Sequence, residues 1–193
     1  MHKLMMRLAK SMAYLGGAVL TLLIILTCVS IAGRLLNGFF HGDVMERIAP
    51  GFSKWMTGWV GPVNGDFELV EAGVAFAIFA FLPLCQITAG HASVDVVANA
   101  FPRGVKRFLR MVTEVVFAAA LVLIAWRLGA GLASKYANGE TSFLLEFPVW
   151  WAYAISMVAA VVAAMVGIYM GAVRTIEFFT GRILIWDGVE GEQ

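Results

Sequence analysis

Four long apolar runs organise the chain: Ser11 to Leu36, Phe67 to Ala89, Phe108 to Ala133 and Val149 to Val173. Crossing a hydrocarbon core about 30 Å thick takes about 20 helical residues. The uninterrupted part of the first run, Met12 to Gly33, holds about 22 residues and would reach ~33 Å at 1.5 Å per residue. The pattern predicts an all-α integral membrane protein with four transmembrane helices, spanning about 12–36, 67–89, 108–133 and 149–173. These form a single membrane domain over 1–193, with a loop at 37–66 on one side and a loop at 90–107 on the other. Pro83 near the end of the second run marks a kink. Pro148 before the fourth is harmless at a first helical position, where the missing N–H has no helical partner to lose.

The first run follows Lys3, Arg7 and Lys10, as a secretory signal would. Ser30-Ile31-Ala32 resembles a small-x-small cleavage site, and Leu26-Thr27-Cys28 faintly resembles a lipoprotein site. A signal core covers only about 7–15 residues, so the length of this run argues for a retained helix.

Both loops carry a shorter amphipathic pattern. Met45, Ile48, Phe52, Trp55, Met56 and Trp59 recur at three- and four-residue spacing, with Pro50-Gly51 dividing the stretch. Val94, Val97 and Phe101 repeat the spacing after Ser93, a candidate N-cap, and before Pro102. Both stretches predict short interfacial helices lying along the membrane surface. Trp55 and Trp59 in the first, and Trp150, Trp151 and Tyr153 at the start of the fourth span, are the expected interfacial anchors.

Charge sets the orientation. Lys3, Arg7, Lys10, Arg103, Lys106, Arg107, Arg110, Arg174 and Arg182 fall on one side; Arg34, Arg47, Lys54, Arg127 and Lys135 fall on the other. The positive-inside rule then places both termini in the cytoplasm, and the loop at 37–66 outside. Composition agrees with a chain built for lipid, at 61% hydrophobic and 14% charged, against about 25% charged in ordinary soluble domains. A net charge of +1 without a basic tract argues against a nucleic-acid partner.

Candidate chemistry is sparse. Cys28 and Cys85 sit in apolar runs without metal or redox spacing and read as small hydrophobes. His2, His41 and His91 lie outside the runs, so the paired in-membrane histidines of a bis-His haem site are missing. No nucleophile elbow, phosphate loop or metal-ligand cluster is present, which points to neither an enzyme nor a cofactor. Ionisable residues inside a span are functional candidates by default. Glu68 and Glu71 share one face of the second helix, where the helix dipole stabilises them or a partner subunit uses them. Glu114 lies four residues after Arg110 and can form an ion pair with it. Arg127 can reach the headgroups by snorkelling, or serve as a ligand. Gly167 and Gly171 form a GxxxG, and Gly73 with Ala77 and Gly129 with Ala133 repeat the small-xxx-small spacing that permits close helix packing. No internal repeat of the kind that builds many secondary transporters is visible.

Several stretches together resemble one family. Gly65-Asp66-Phe67-Glu68-Leu69-Val70-Glu71 enters the second span, Phe79-Ala80-Phe81-Leu82-Pro83 nears its end, and Gly90-His91-Ala92-Ser93-Val94-Asp95 follows. With Arg34 and Asn37 at the end of the first helix, and Ser142 through Pro148-Val149-Trp150 before the fourth, the chain from about Leu15 to Gly171 resembles the DctQ-like small membrane subunit of tripartite ATP-independent periplasmic (TRAP) transporters. The resemblance implies a small, non-catalytic scaffold in the bacterial inner membrane, bound to a large permease subunit. That permease carries a sodium-coupled pathway for organic acids, and a periplasmic solute-binding protein delivers the substrate. By the same resemblance Glu68, Glu71, His91 and Asp95 are candidates for structural or inter-subunit contacts. His91 and Asp95 are four apart and could instead pair with each other. The segment 38–62 is longer than the family's link, so it could contribute to docking of the binding protein. The rival reading is a small self-sufficient homo-oligomeric transporter or channel that uses Glu71 or Glu114 as its coupling carboxylate.

Overall fold

The computed structural model describes residues 1–40, 63–88 and 102–181, together with Gly42, Gly51 and Gly61. Four helices carry these residues: α1 (His2–Phe40), α2 (Asp66–Ile87), α3 (Arg103–Asn138) and α4 (Trp150–Thr180). All four are long and apolar enough to cross a membrane, so the chain is a multi-pass, all-α membrane protein. The two expected interfacial helices, with Trp55, Trp59, His91 and Asp95, lie outside the described residues.

Three of the helices continue well past their apolar runs. At 1.5 Å per residue, the 39 residues of α1 reach about 58 Å, nearly twice a ~30 Å hydrocarbon core. The surplus at its start carries Lys3, Arg7 and Lys10. Polar flanks can stay helical beyond the hydrocarbon because the i to i−4 backbone bonds need no lipid to sustain them. α3 ends at Gly139, whose φ of 62° supplies the left-handed cap that closes a helix without a Cβ penalty. α4 begins two residues after Pro148, because Pro148 pairs as an isolated bridge with Thr141. Pro83 is buried inside α2.

The helices pack in the order α1, α2, α4, α3, with α1 also touching α4 lightly. α2 and α4 are thus the two inner members, and α4 is the more deeply buried of them. Its sequence suits that position, since Ser156, Ala159, Ala160, Ala163, Ala164 and Gly167 present small side chains to its neighbours. One apolar cluster joins Ala9 of α1, Ile87 of α2, and Val166, Met170 and Val173 of α4. A second joins Leu121 and Ala125 of α3 to Ala160, Ala163 and Ala164 of α4, with Phe79 and Leu82 of α2 against it. Contacts between small side chains supply the attraction here, because lipid removes the hydrophobic drive between helices. α1 remains mostly exposed, with Leu22, Ile24, Ile25 and Val29 facing outward as lipid-facing positions should.

Candidate functional site

Buried polar side chains cluster at the two ends of the bundle. The end shared by the close of α1 and the start of α2 is called the far end; the end bearing Lys3, Arg7, Lys10, Lys106, Arg107 and Arg110 is called the basic end.

At the far end, α1 and α2 are joined through Asp66, the first residue of α2. Ser30 Oγ donates to Asp66 Oδ2 at 2.5 Å, and Arg34 Nη2 forms an ion pair with the same oxygen. Arg34 Nη2 also lies 3.3 Å from Ser30 Oγ. The other carboxylate oxygen takes the N–H of Phe67 at 2.9 Å. Ser30 is fully buried and Asp66 nearly so. A carboxylate in that position must be paired, and the first turn of a helix, with its unpaired N–H groups, favours negative charge.

Two residues later, Glu68 secures the loop between α3 and α4. The N–H groups of Leu144 and Leu145 donate to its two carboxylate oxygens at 2.7 and 2.9 Å. The loop is closed on itself by Ser142 N–H to the Phe147 carbonyl at 2.9 Å and by Val149 N–H to the Glu140 carbonyl at 3.0 Å. Leu145 also lies directly over Gly65, where an added Cβ would sit 2.3 Å from its Cγ. Gly65 has a φ of 79°, so steric room and backbone conformation both demand glycine. Lys135 Nζ pairs with Glu140 Oε2 at 2.5 Å, and Asn138 Nδ2 donates to its other oxygen at 3.0 Å. Those two hydrogen bonds, the one from Lys135 first, hold the Glu140 carboxyl below the ordinary carboxylate range. Phe143 and Leu144 remain exposed at the loop's tip.

At the basic end, Gln86 Nε2 of α2 donates to Glu114 Oε2 of α3, both residues being buried. Arg174 of α4 is buried too, with Nη1 2.7 Å from Glu177 Oε2. Arg107 Nη1 reaches across to the Gly181 carbonyl at 3.2 Å, tying the start of α3 to the end of α4.

The residues singled out from sequence are thus distributed rather than gathered. Glu68 makes intrachain bonds, whereas Glu71 is exposed and has no hydrogen-bond partner among the described residues. Their shared face does not make them a pair. Glu114 is held from a different helix, by Gln86, which the spacing of charges along α3 could not reveal. Gly167 and Gly171 pack within the chain. A Cβ on Gly167 would come within 2.9 Å of Leu121 Cδ1, and one on Gly171 would meet Ala118 Cβ at 3.5 Å. Trp150 stacks edge-on with Tyr136 at 5.4 Å between centroids and with Trp151 at 6.0 Å. Arg127 lies over the Trp126 ring, 5.7 Å from its centroid. Cys28 and Cys85 are free thiols. The buried contacts of Ser30, Asp66, Gln86 and Arg174 are not assigned by the pattern along the chain, although Ser30 and Gln86 carry a signal: each is a polar residue inside an apolar run.

Among the described residues no three His, Cys, Asp or Glu side chains gather as a metal site would require. The family model for tripartite ATP-independent periplasmic transporters, DctQ component, matches residues 48–177, more than half of the chain. No curated protein and no solved structure matches.

Proposed function

The chain belongs to the DctQ component family of tripartite ATP-independent periplasmic transporters, and on that premise we propose that it is the small scaffold subunit of such a transporter. In this reading it sits in a bacterial inner membrane with both termini cytoplasmic, so that the basic end faces inward and the far end faces the periplasm. It binds a large permease subunit that carries the sodium-coupled movement of an organic acid, while a periplasmic solute-binding protein delivers the substrate. The chain itself does no chemistry.

The observation that supports a scaffold is where the buried polar groups lie. Ser30 and Asp66 sit at one end of the bundle, with Ser156 about two turns inside α4 on the same side, and Gln86, Glu114 and Arg174 lie toward the other. Between them α4 meets α3 through Leu121, Ala125, Ala160 and Ala163. A carrier needs polar groups that converge near mid-membrane, whereas a scaffold needs helices that keep their relative positions. Here the ends are tied by polar bonds and the middle is closely packed.

The test is co-expression with a large permease subunit of such a transporter, followed by affinity purification and uptake into vesicles. Recovery of a stable complex, with no uptake by the small chain alone, is the expected result. Uptake by the purified chain alone, abolished by Glu71→Gln or Glu114→Gln, would establish the self-sufficient carrier instead.

A further inference from the structure

Arg127 stands exposed on the outer face of α3, the helix at one end of the packing row. The buried positions of α3, Glu114, Ala118, Leu121 and Ala125, turn toward the bundle. At about 3.6 residues per turn, Arg127 falls nearly opposite them, in line with Val116 and Leu123, which are exposed as well.

Its depth follows from the contacts between α3 and α4. A Cβ on Gly129 would meet Met157 Cε at 3.2 Å, and Gly167 lies against Leu121. Arg127, between Gly129 and Leu121, is therefore level with the stretch of α4 between Met157 and Gly167. That stretch is the middle of the apolar run Val149 to Val173. Along α3, Arg127 lies eight residues inside Lys135, about 12 Å at 1.5 Å per residue.

Snorkelling does not release this charge. The Cα–Cβ bond of a helical residue tilts toward the helix N-terminus, and the N-terminus of α3 is at the basic end, the farther one. The side chain leaves the backbone away from the nearer headgroups, and its guanidinium rests over Trp126, 5.7 Å from the ring centroid. Trp126 is itself 67% exposed. It lies ten residues from Tyr136 of the far-end aromatic cluster, about 15 Å, too deep to belong to an interfacial belt. The indole N–H and the guanidinium are donors only. Neither residue has a hydrogen bond or ion pair among the described residues. Charged side chains in membrane helices ordinarily face the bundle interior and pair there. Here a cation faces outward.

We propose that a transmembrane helix of the large subunit packs on this outer face of α3 and places an Asp or Glu carboxylate on Arg127, with the Trp126 indole N–H as a second donor. The ion pair is completed only in the complex, so it sets both the depth and the rotation of the partner helix. The inference rests on the scaffold reading for the identity of the partner.

The full chain co-expressed with the large subunit and purified in detergent tests it. Arg127→Gln is expected to lower recovery of the large subunit several-fold, and Arg127→Lys to restore part of it. Lys10→Gln, which removes an exposed charge from α1, leaves recovery unchanged. Thermal unfolding of each small chain alone establishes that it is folded. A benzoylphenylalanine in place of Leu123 gives a readout that keeps Arg127 intact. Its cross-linking to a large-subunit transmembrane helix that contains Asp or Glu supports the contact. Full recovery with Arg127→Gln, or cross-linking only to lipid, to a second copy of the chain or to a helix without an acidic residue, overturns the inference while the complex, and with it the scaffold reading, stands. If the unaltered chains form no complex, both fall.

Discussion

Glu68 accepts the N–H groups of Leu144 and Leu145, residues 76 and 77 positions further along the chain. One carboxylate at the start of α2 thereby fixes the loop that joins α3 to α4. Family resemblance marked Glu68 as a candidate for subunit contact; the structure gives it an intrachain role that orients whatever surface the loop presents. Glu68→Ala should release that loop while leaving the helices formed. Hydrogen exchange read by mass spectrometry should be several-fold faster over 142–146 and unchanged across α3. Unaltered exchange over 142–146 would show that the two bonds do not hold the loop.

Gly65 and Gly139 both have positive φ, but only Gly65 has a neighbour in the way. Gly139→Ala should cost about 1–2 kcal/mol, the usual penalty for a Cβ in the left-handed region. Gly65→Ala should cost distinctly more, because Leu145 must also move. Unfolding in mixed micelles measures both, and equal losses would mean that Leu145 gives way freely.

Ser30, Arg34 and Asp66 join the outer parts of α1 and α2. Removing Arg34 leaves a buried carboxylate without its cation, and removing Asp66 leaves a half-exposed cation that water can reach. Arg34→Gln should therefore destabilise more than Asp66→Asn, and the double variant should lose less than the sum of the two. A double-mutant cycle on unfolding midpoints reads the coupling, and strict additivity would rule out the pair as a joint device.

The approach of α4 to α3 depends on Gly167 beneath Leu121. Gly167→Val should overpack that contact and cost about 1–3 kcal/mol. Leu121→Ala introduced with it should restore part of the loss, by vacating the space the valine needs. No recovery in the double variant would mean that Leu121 is not the obstacle.

Glu140 has its carboxyl held below the ordinary value of 4.5, chiefly by the Lys135 hydrogen bond. A depressed folded-state value means that the stabilisation is present above about pH 4.5 and is lost as pH falls through the lowered value. The group is solvent-exposed, so the effect should be small and salt-sensitive. Acid titration followed by exchange at 139–149 should show a loosening that Glu140→Gln abolishes. An identical acid response in the variant would assign the loosening to other groups.

Much of this protein could be read along the chain. Four apolar runs of spanning length become four helices, because unpaired backbone in lipid leaves a helix as the only open choice for each run. The GxxxG of Gly167 and Gly171 also announced close packing, although not its partner. The polar cross-links were not legible, because each joins residues remote in sequence: Ser30 with Asp66, Glu68 with Leu145, Gln86 with Glu114. Periodicity reports which face of a helix is polar and is silent on which helix meets it. The sequence by itself determined that the chain crosses the membrane and how often, since length and hydropathy are local quantities. Only the tertiary structure decided that α4 is the most deeply buried of the four helices and that Glu68 serves the chain's own loop. Those outcomes depend on which small faces meet, and the energy of such a meeting belongs to pairs of helices rather than to either one.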